Sequence, residues 1–172
     1  RPKASPVIKL FSFLVDKSKL NVEIDLNGQR QKVEIPQGSI DQSFNVTQVG
    51  DIAQFQGDEV EVALVDIAHA RSGDKGNHSN IGVIARKAEF LPWIRANLTP
   101  ESVAEYMQHV LDSETSQVIR YELNGLNALN FILENALGGG GVASLRIDPQ
   151  GKAFAQQLLD MPVKVPKGLI IN

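Results

Sequence analysis

Two apolar runs flanking a polar one constrain this chain most. Residues 59–70, EVEVALVDIAHA, begin with strand-like alternation and become continuously apolar, as a strand covered on both faces does, and residues 80–86, NIGVIAR, repeat that character. Between them HARSGDKGNHSN, residues 69–80, contains no Val, Leu, Ile or aromatic residue. The pattern reads strand, polar loop, strand. No helix fits between the two strands, which argues against a doubly wound dinucleotide fold.

A second local signal lies upstream. Val22, Ile24 and Leu26 alternate with polar residues, Asn27-Gly28 offers a type I′ turn, and Val33 and Ile35 resume the alternation. A hairpin is expected there, preceded by a bent strand over residues 6–15, PVIKLFSFLV. Residues 37–58 are mostly polar and read as a connection. The boundary is placed near Gly57: residues 1–56 form a small N-terminal β element with its connecting region, and residues 57–172 form the main domain.

Within the main domain, FLPWIRANL (90–98) reads as a short helix, and LTPESVAEYMQHVL (98–111) as a second with Thr99 at N-cap and Pro100 at N1. QVIRYEL (117–123) reads as a strand. GLNALNFILENAL (125–137) carries Leu126, Leu129, Ile132, Leu133 and Leu137 at helical spacing and is expected to be a helix stopped by GGGG at 138–141. VASLRID (142–148) reads as the last strand and GKAFAQQLLDM (151–161) as a short amphipathic helix. This order fits an α+β fold, a mainly antiparallel sheet with helices on one face, preceded by the small β element.

Composition narrows the function classes. The chain has no cysteine, which removes disulfides, thiolate nucleophiles and iron–sulfur clusters and suits a reducing, cytoplasmic setting. Seventeen basic and twenty acidic residues are interspersed, for a net charge of -3, so no basic surface supports binding to nucleic acid or to an anionic membrane. The apolar runs stop short of the ~20 residues that span a bilayer.

The polar stretch is the candidate site. Gly73 and Gly76 permit close backbone approach, Lys75 supplies a point charge, and Arg71 a two-pronged donor for carboxylate or phosphate, with Asn77 and Asn80 beside them. Glycine, aspartate, serine and asparagine are also turn formers, so a purely architectural turn remains the alternative. His78, among polar groups and with Asp74 as orienting partner, is the better general-base candidate; His69, at the end of an apolar strand, reads equally as a hydrogen-bonded core residue. No spacing specific to a metal joins His69, His78 and Asp74, and no cofactor is expected. The stretch lacks the Walker spacing, and neither Ser72 nor Ser79 sits in a nucleophile elbow. Gly139 and Gly140 of the tetraglycine, and Lys152 in the DPQGK turn, are further candidates for contact with the polar stretch or with a ligand.

ARSGDKGNHSNIGVIAR (70–86), VIRYELNGLNALNFILENALGGGG (118–141) and LRIDPQGKAFAQQLL (145–159), in that order, resemble the C-terminal domain of the acyclic terpene utilisation A family. The resemblance implies a ferredoxin-like α+β domain, found behind a larger N-terminal domain and linked to bacterial breakdown of branched isoprenoid acids as coenzyme A thioesters. It lends importance to Arg71, Gly73, Asp74, Lys75, Gly76, Asn77 and Asn80 without assigning their roles. The leading expectation is an accessory or partly catalytic domain that binds an acyl-CoA or other small anion and works as a homo-oligomer or with a partner subunit. One alternative is a hydratase- or lyase-like enzyme acting on an acyl thioester; another is a structural oligomerisation domain.

Overall fold

The computed structural model describes residues 6, 8, 11, 13–36, 38, 57–112 and 114–170. The chain divides into two units, Phe11–Gln48 and the remainder. In the first, β1 (Glu23–Leu26) and β2 (Gln29–Lys32) pair antiparallel, Leu26 opposite Gln29. Asn27 and Gly28 have φ of 54° and 84°, the two positive values that a type I′ turn needs. The stretch expected as a bent strand, residues 6–15, lies partly outside the described residues, and nearly all of the connecting region does.

The second unit runs β3 (Glu59–Ala63), α1 (Leu64–Ile67), β4 (Ala68–Lys75), β5 (His78–Ala85), α2 (Leu91–Asn97), α3 (Pro100–Tyr106), β6 (Val118–Leu123), β7 (Ala128–Leu133), α4 (Phe154–Leu159), β8 (Pro162–Pro166) and α5 (Lys167–Ile170). Four strands form an antiparallel sheet in the order β4-β5-β7-β6, and β3 pairs antiparallel with β8 in a second, two-stranded sheet. The fold is α+β with antiparallel sheets, as expected.

Strand alternation sends one set of side chains to the core. Ile81, Val83, Leu129, Phe131 and Leu133 face inward and pack with Ile94, Leu98, Val103, Met107, Phe154 and Leu158 from α2, α3, the turn after it, and α4. Each such side chain contributes about 1.5–3 kcal/mol by leaving water. Thr99 caps α3, its hydroxyl oxygen accepting the Ser102 N–H at 3.1 Å, with Pro100 at the first helical position.

Four local expectations are corrected. The run at 59–70 is not one strand: the Asp66 carboxylate accepts the Ala63 N–H at 3.2 Å and sets a helical turn, α1, between β3 and β4. The polar stretch is not a long loop but the end of β4, a two-residue turn and the start of β5, with Gly76 at φ 66° in the first turn position, as a type II′ turn requires. Residues 125–137 hold no helix; they contain β7, the inner strand between β5 and β6, whose alternation is masked because Ala128 and Ile132 on the opposite face are also apolar. Residues 142–148 form no strand. Their chain turns on the Gly140 carbonyl, which accepts N–H bonds from Ala143 and Ser144, and Leu145 and Ile147 stand exposed. The strand that closes the fold is instead β8, whose terminal prolines, Pro162 and Pro166, stand opposite the ends of β3.

Candidate functional site

The face of the four-stranded sheet turned away from the core carries His69, Arg71, Gly73 and Lys75 from β4; His78, Asn80, Gly82 and Ile84 from β5; Ala128, Asn130 and Ile132 from β7; and Ile119, Tyr121 and Leu123 from β6. Register sets the rows. Arg71 lies opposite Gly82, Gly82 opposite Asn130, and Asn130 opposite Tyr121.

One end of this face is polar and hydrogen-bonded. The Lys75 ammonium donates to the Asp74 carbonyl at 3.0 Å and to Asn80 Oδ1 at 3.1 Å, while Asn80 Nδ2 donates to Asn130 Oδ1 at 3.2 Å. With its oxygen so used, Asn130 keeps its Nδ2 group as a donor. The Arg71 guanidinium is exposed and makes no hydrogen bond or ion pair among the described residues. The donors outnumber the acceptors, which favours an anion.

Lys152 joins this end from the segment before α4. Its carbonyl accepts a bond from the Ser72 hydroxyl on the inner side of β4, and its ammonium lies over Gly73, 3.1 Å from where a Cβ would stand. Gly73 thus leaves room for the amine to straddle the strand. The same ammonium is 3.5 Å from Asp74 Oδ1, an exposed ion pair of the kind worth at most about 1 kcal/mol.

The other end is apolar. A groove of about 340 Å³ is lined by His69, Arg71, Gly82, Ile84, Leu123 and Leu126, among others, and its walls are almost wholly hydrocarbon. A Cβ on Gly82 would meet nothing closer than 3.9 Å, so the missing side chain forms part of the floor. Arg71 stands where the polar end meets the groove.

Residues 62–164 match the AtuA ferredoxin-like domain, more than half of the chain. The chain belongs to that family. No curated protein and no solved structure matches it significantly. The matched span of this AtuA ferredoxin-like domain contains the whole four-stranded sheet and therefore both ends of the open face.

Within the domain the sequence candidates fall into three places. Arg71, Gly73, Lys75 and Asn80 share the open face, and Lys152 reaches it. Gly76, Asn77, Gly139 and Gly140 gather at the hairpin turn: Gly139 N–H donates to Asn77 Oδ1 at 2.6 Å, Asn77 Nδ2 donates to Asn135 Oδ1 at 3.1 Å, and a Cβ on Gly140 would meet the Gly76 carbonyl oxygen at 2.8 Å. The tetraglycine therefore packs against the turn. His78, Asp74 and His69 are not brought together. Asp74 is paired with Ser79 in the register and points to the face opposite His78, while His69 and Lys75, the residue opposite His78, are six residues apart along β4. His78 Nδ1 accepts the Asn135 N–H at 3.0 Å, which puts the proton of a neutral ring on Nε2.

Sequence reading missed Asn130, Tyr121, Ile84, Leu123 and Leu126. The first and last of these sat in the stretch read as a helix, where strand alternation would have placed Asn130 on the face opposite Leu129 and Phe131.

Among the described residues no helix is long and apolar enough to cross a membrane.

Proposed function

We propose that this domain binds an anionic organic ligand on the open face of its sheet, with the anion at Arg71, Asn130 and Lys75 and an apolar segment in the groove over Gly82. The observation that carries this reading is the exposed Arg71 guanidinium, without a partner among the described residues, at the mouth of a groove walled by hydrocarbon. An exposed guanidinium is otherwise met only by water, and at the mouth of an apolar groove it is suited to a ligand that brings its own acceptor. An acyl-coenzyme A joins these two characters, and the family resemblance points to the same chemical class. In this reading the domain is an accessory or partly catalytic part of an assembly that handles branched acyl thioesters, and a cysteine-free chain suits a cytoplasmic setting for it.

Calorimetric titration of wild type and Arg71→Ala with coenzyme A, a short branched acyl-coenzyme A and simple carboxylates tests the reading. Wild type should bind the acyl-coenzyme A most tightly. The variant should lose about tenfold or more, since a charge-assisted hydrogen bond is worth about 1.5–3 kcal/mol. Equal binding by wild type and variant, or no binding of any of these ligands by wild type, overturns it.

A further inference from the structure

The two edges of the four-stranded sheet differ. The β4 edge carries Arg71 and Lys75 and is straddled by Lys152, charged features of the kind that keep exposed strands from pairing. The β6 edge carries no charge on its open face; its charges, one of each sign, point inward, with Arg120 donating to the Arg95 and Leu98 carbonyls at 2.9 and 3.0 Å. Among the described residues no strand pairs with its free side, it contains neither proline nor lysine, and its open-face side chains are Ile119, Tyr121 and Leu123. Its two charged residues, Arg120 and Glu122, point to the inner side, where Glu122 accepts from Arg95 Nε at 2.9 Å and lies 3.6 Å from Arg120.

We propose that the chain forms a two-fold dimer in which β6 pairs antiparallel with β6 of a second copy, centred on Tyr121, so that two four-stranded sheets become one of eight.

The sequence of β6 chooses both the occupant and the register. A two-fold axis normal to the sheet keeps side chains on their own faces only if it passes through a residue position, which leaves Arg120, Tyr121 or Glu122 as the central choices. An axis at Arg120 sets two arginines directly opposite, and one at Glu122 sets two glutamates opposite. An axis at Tyr121 sets Arg120 opposite Glu122 of the partner subunit, twice, and Ile119 opposite Leu123 of the partner subunit, twice, with the tyrosines paired at the centre. Opposite charges and matched apolar side chains directly across an antiparallel pair stabilise it, and like charges destabilise it. The strand is therefore self-complementary in one register, as an isologous interface requires. The dimer does not rest on the ligand reading. It does place Ile119 of the partner subunit beside Leu123, at the rim of the apolar groove.

The absence of cysteine from the chain makes the test specific. Mass measured by light scattering over a concentration series should double for wild type as concentration rises, since a six-residue edge makes a small interface that dissociates on dilution. Directly opposite residues have Cβ atoms about 4.5–5.5 Å apart, close enough for a disulfide after small adjustment. Under mild oxidation Tyr121→Cys should cross-link with itself. Ile119→Cys and Leu123→Cys should each remain single chains when alone but cross-link when mixed. Leu145→Cys, on a residue that is 98% exposed, is the control for random collision. A single-chain mass at every concentration overturns the proposal. So does cross-linking of Tyr121→Cys no faster than that of Leu145→Cys, or self-linking of Ile119→Cys in place of the mixed pair.

Discussion

Gly140 rests directly on the turn of the β4–β5 hairpin: a Cβ at its α-carbon would stand 2.8 Å from the carbonyl oxygen of Gly76. Its φ of 88° is a conformation that side-chain-bearing residues rarely adopt. Contact and conformation therefore both demand glycine, and the obstacle is backbone, which cannot swing aside. Gly140→Ala should destabilise the domain by about 2–3 kcal/mol, read as a lower denaturant midpoint with an unchanged slope.

Ser72 ties β4 to the start of α4. Its buried hydroxyl donates to the Lys152 carbonyl at 3.1 Å and accepts the Ala155 N–H at 2.9 Å. Ser72→Ala removes the acceptor and leaves that buried N–H unpaired, a loss of about 1–3 kcal/mol in the same measurement. Amide exchange at Ala155 should accelerate more than exchange at the centre of β7.

Gly82 offers the opposite case. Nothing lies within 3.9 Å of its absent Cβ, and its φ is not in the positive range that strains other residues. Gly82→Leu should leave stability unchanged or slightly raised, because glycine is a poor strand former, while filling the floor of the groove. In calorimetric titration it should weaken an acyl-coenzyme A more than coenzyme A itself.

Lys75 is held by Asn80 Oδ1, and Asn80 in turn holds Asn130. Lys75→Ala should weaken anion binding and flatten its dependence on salt, with a change in stability within about 0.5 kcal/mol, as for other exposed substitutions. Asn80→Ala should also weaken binding although Lys75 keeps its charge, because the amine and the Asn130 amide both lose the group that orients them.

Several parts of this arrangement were legible in the sequence because they depend on neighbours in the chain. Asn27-Gly28 dictates a type I′ turn through the φ values the two residues accept, and Thr99-Pro100 starts a helix through one hydroxyl and one missing N–H. Gly76-Asn77 carried a comparable hairpin signal, masked by the polar residues on either side. The polarity of the residues around Gly73 and Gly76 also marked the right segment as the candidate site. It did not say which of them share a face, because that depends on strand register, and reading a strand as a loop hides the alternation that puts Arg71, Gly73 and Lys75 on one side and Ser72 and Asp74 on the other.

The rest was decided by tertiary structure. Residues 125–137 have apolar spacing that suits a helix in isolation, yet β5 and β6 offer hydrogen-bonding edges on both sides and a core that takes Leu129, Phe131 and Leu133, so the segment becomes a strand. Residues 142–148 have strand composition but join no ladder; they turn on Gly140 and leave Leu145 and Ile147 exposed. Sequence alone determined the Asn27-Gly28 turn and the Thr99 cap, since those are set by the conformational limits of a few adjacent residues. Which segments become strands, and which polar side chains meet at Asn80 and Arg71, was determined only when distant segments paired, because a backbone hydrogen-bond ladder belongs to two strands and not to either one.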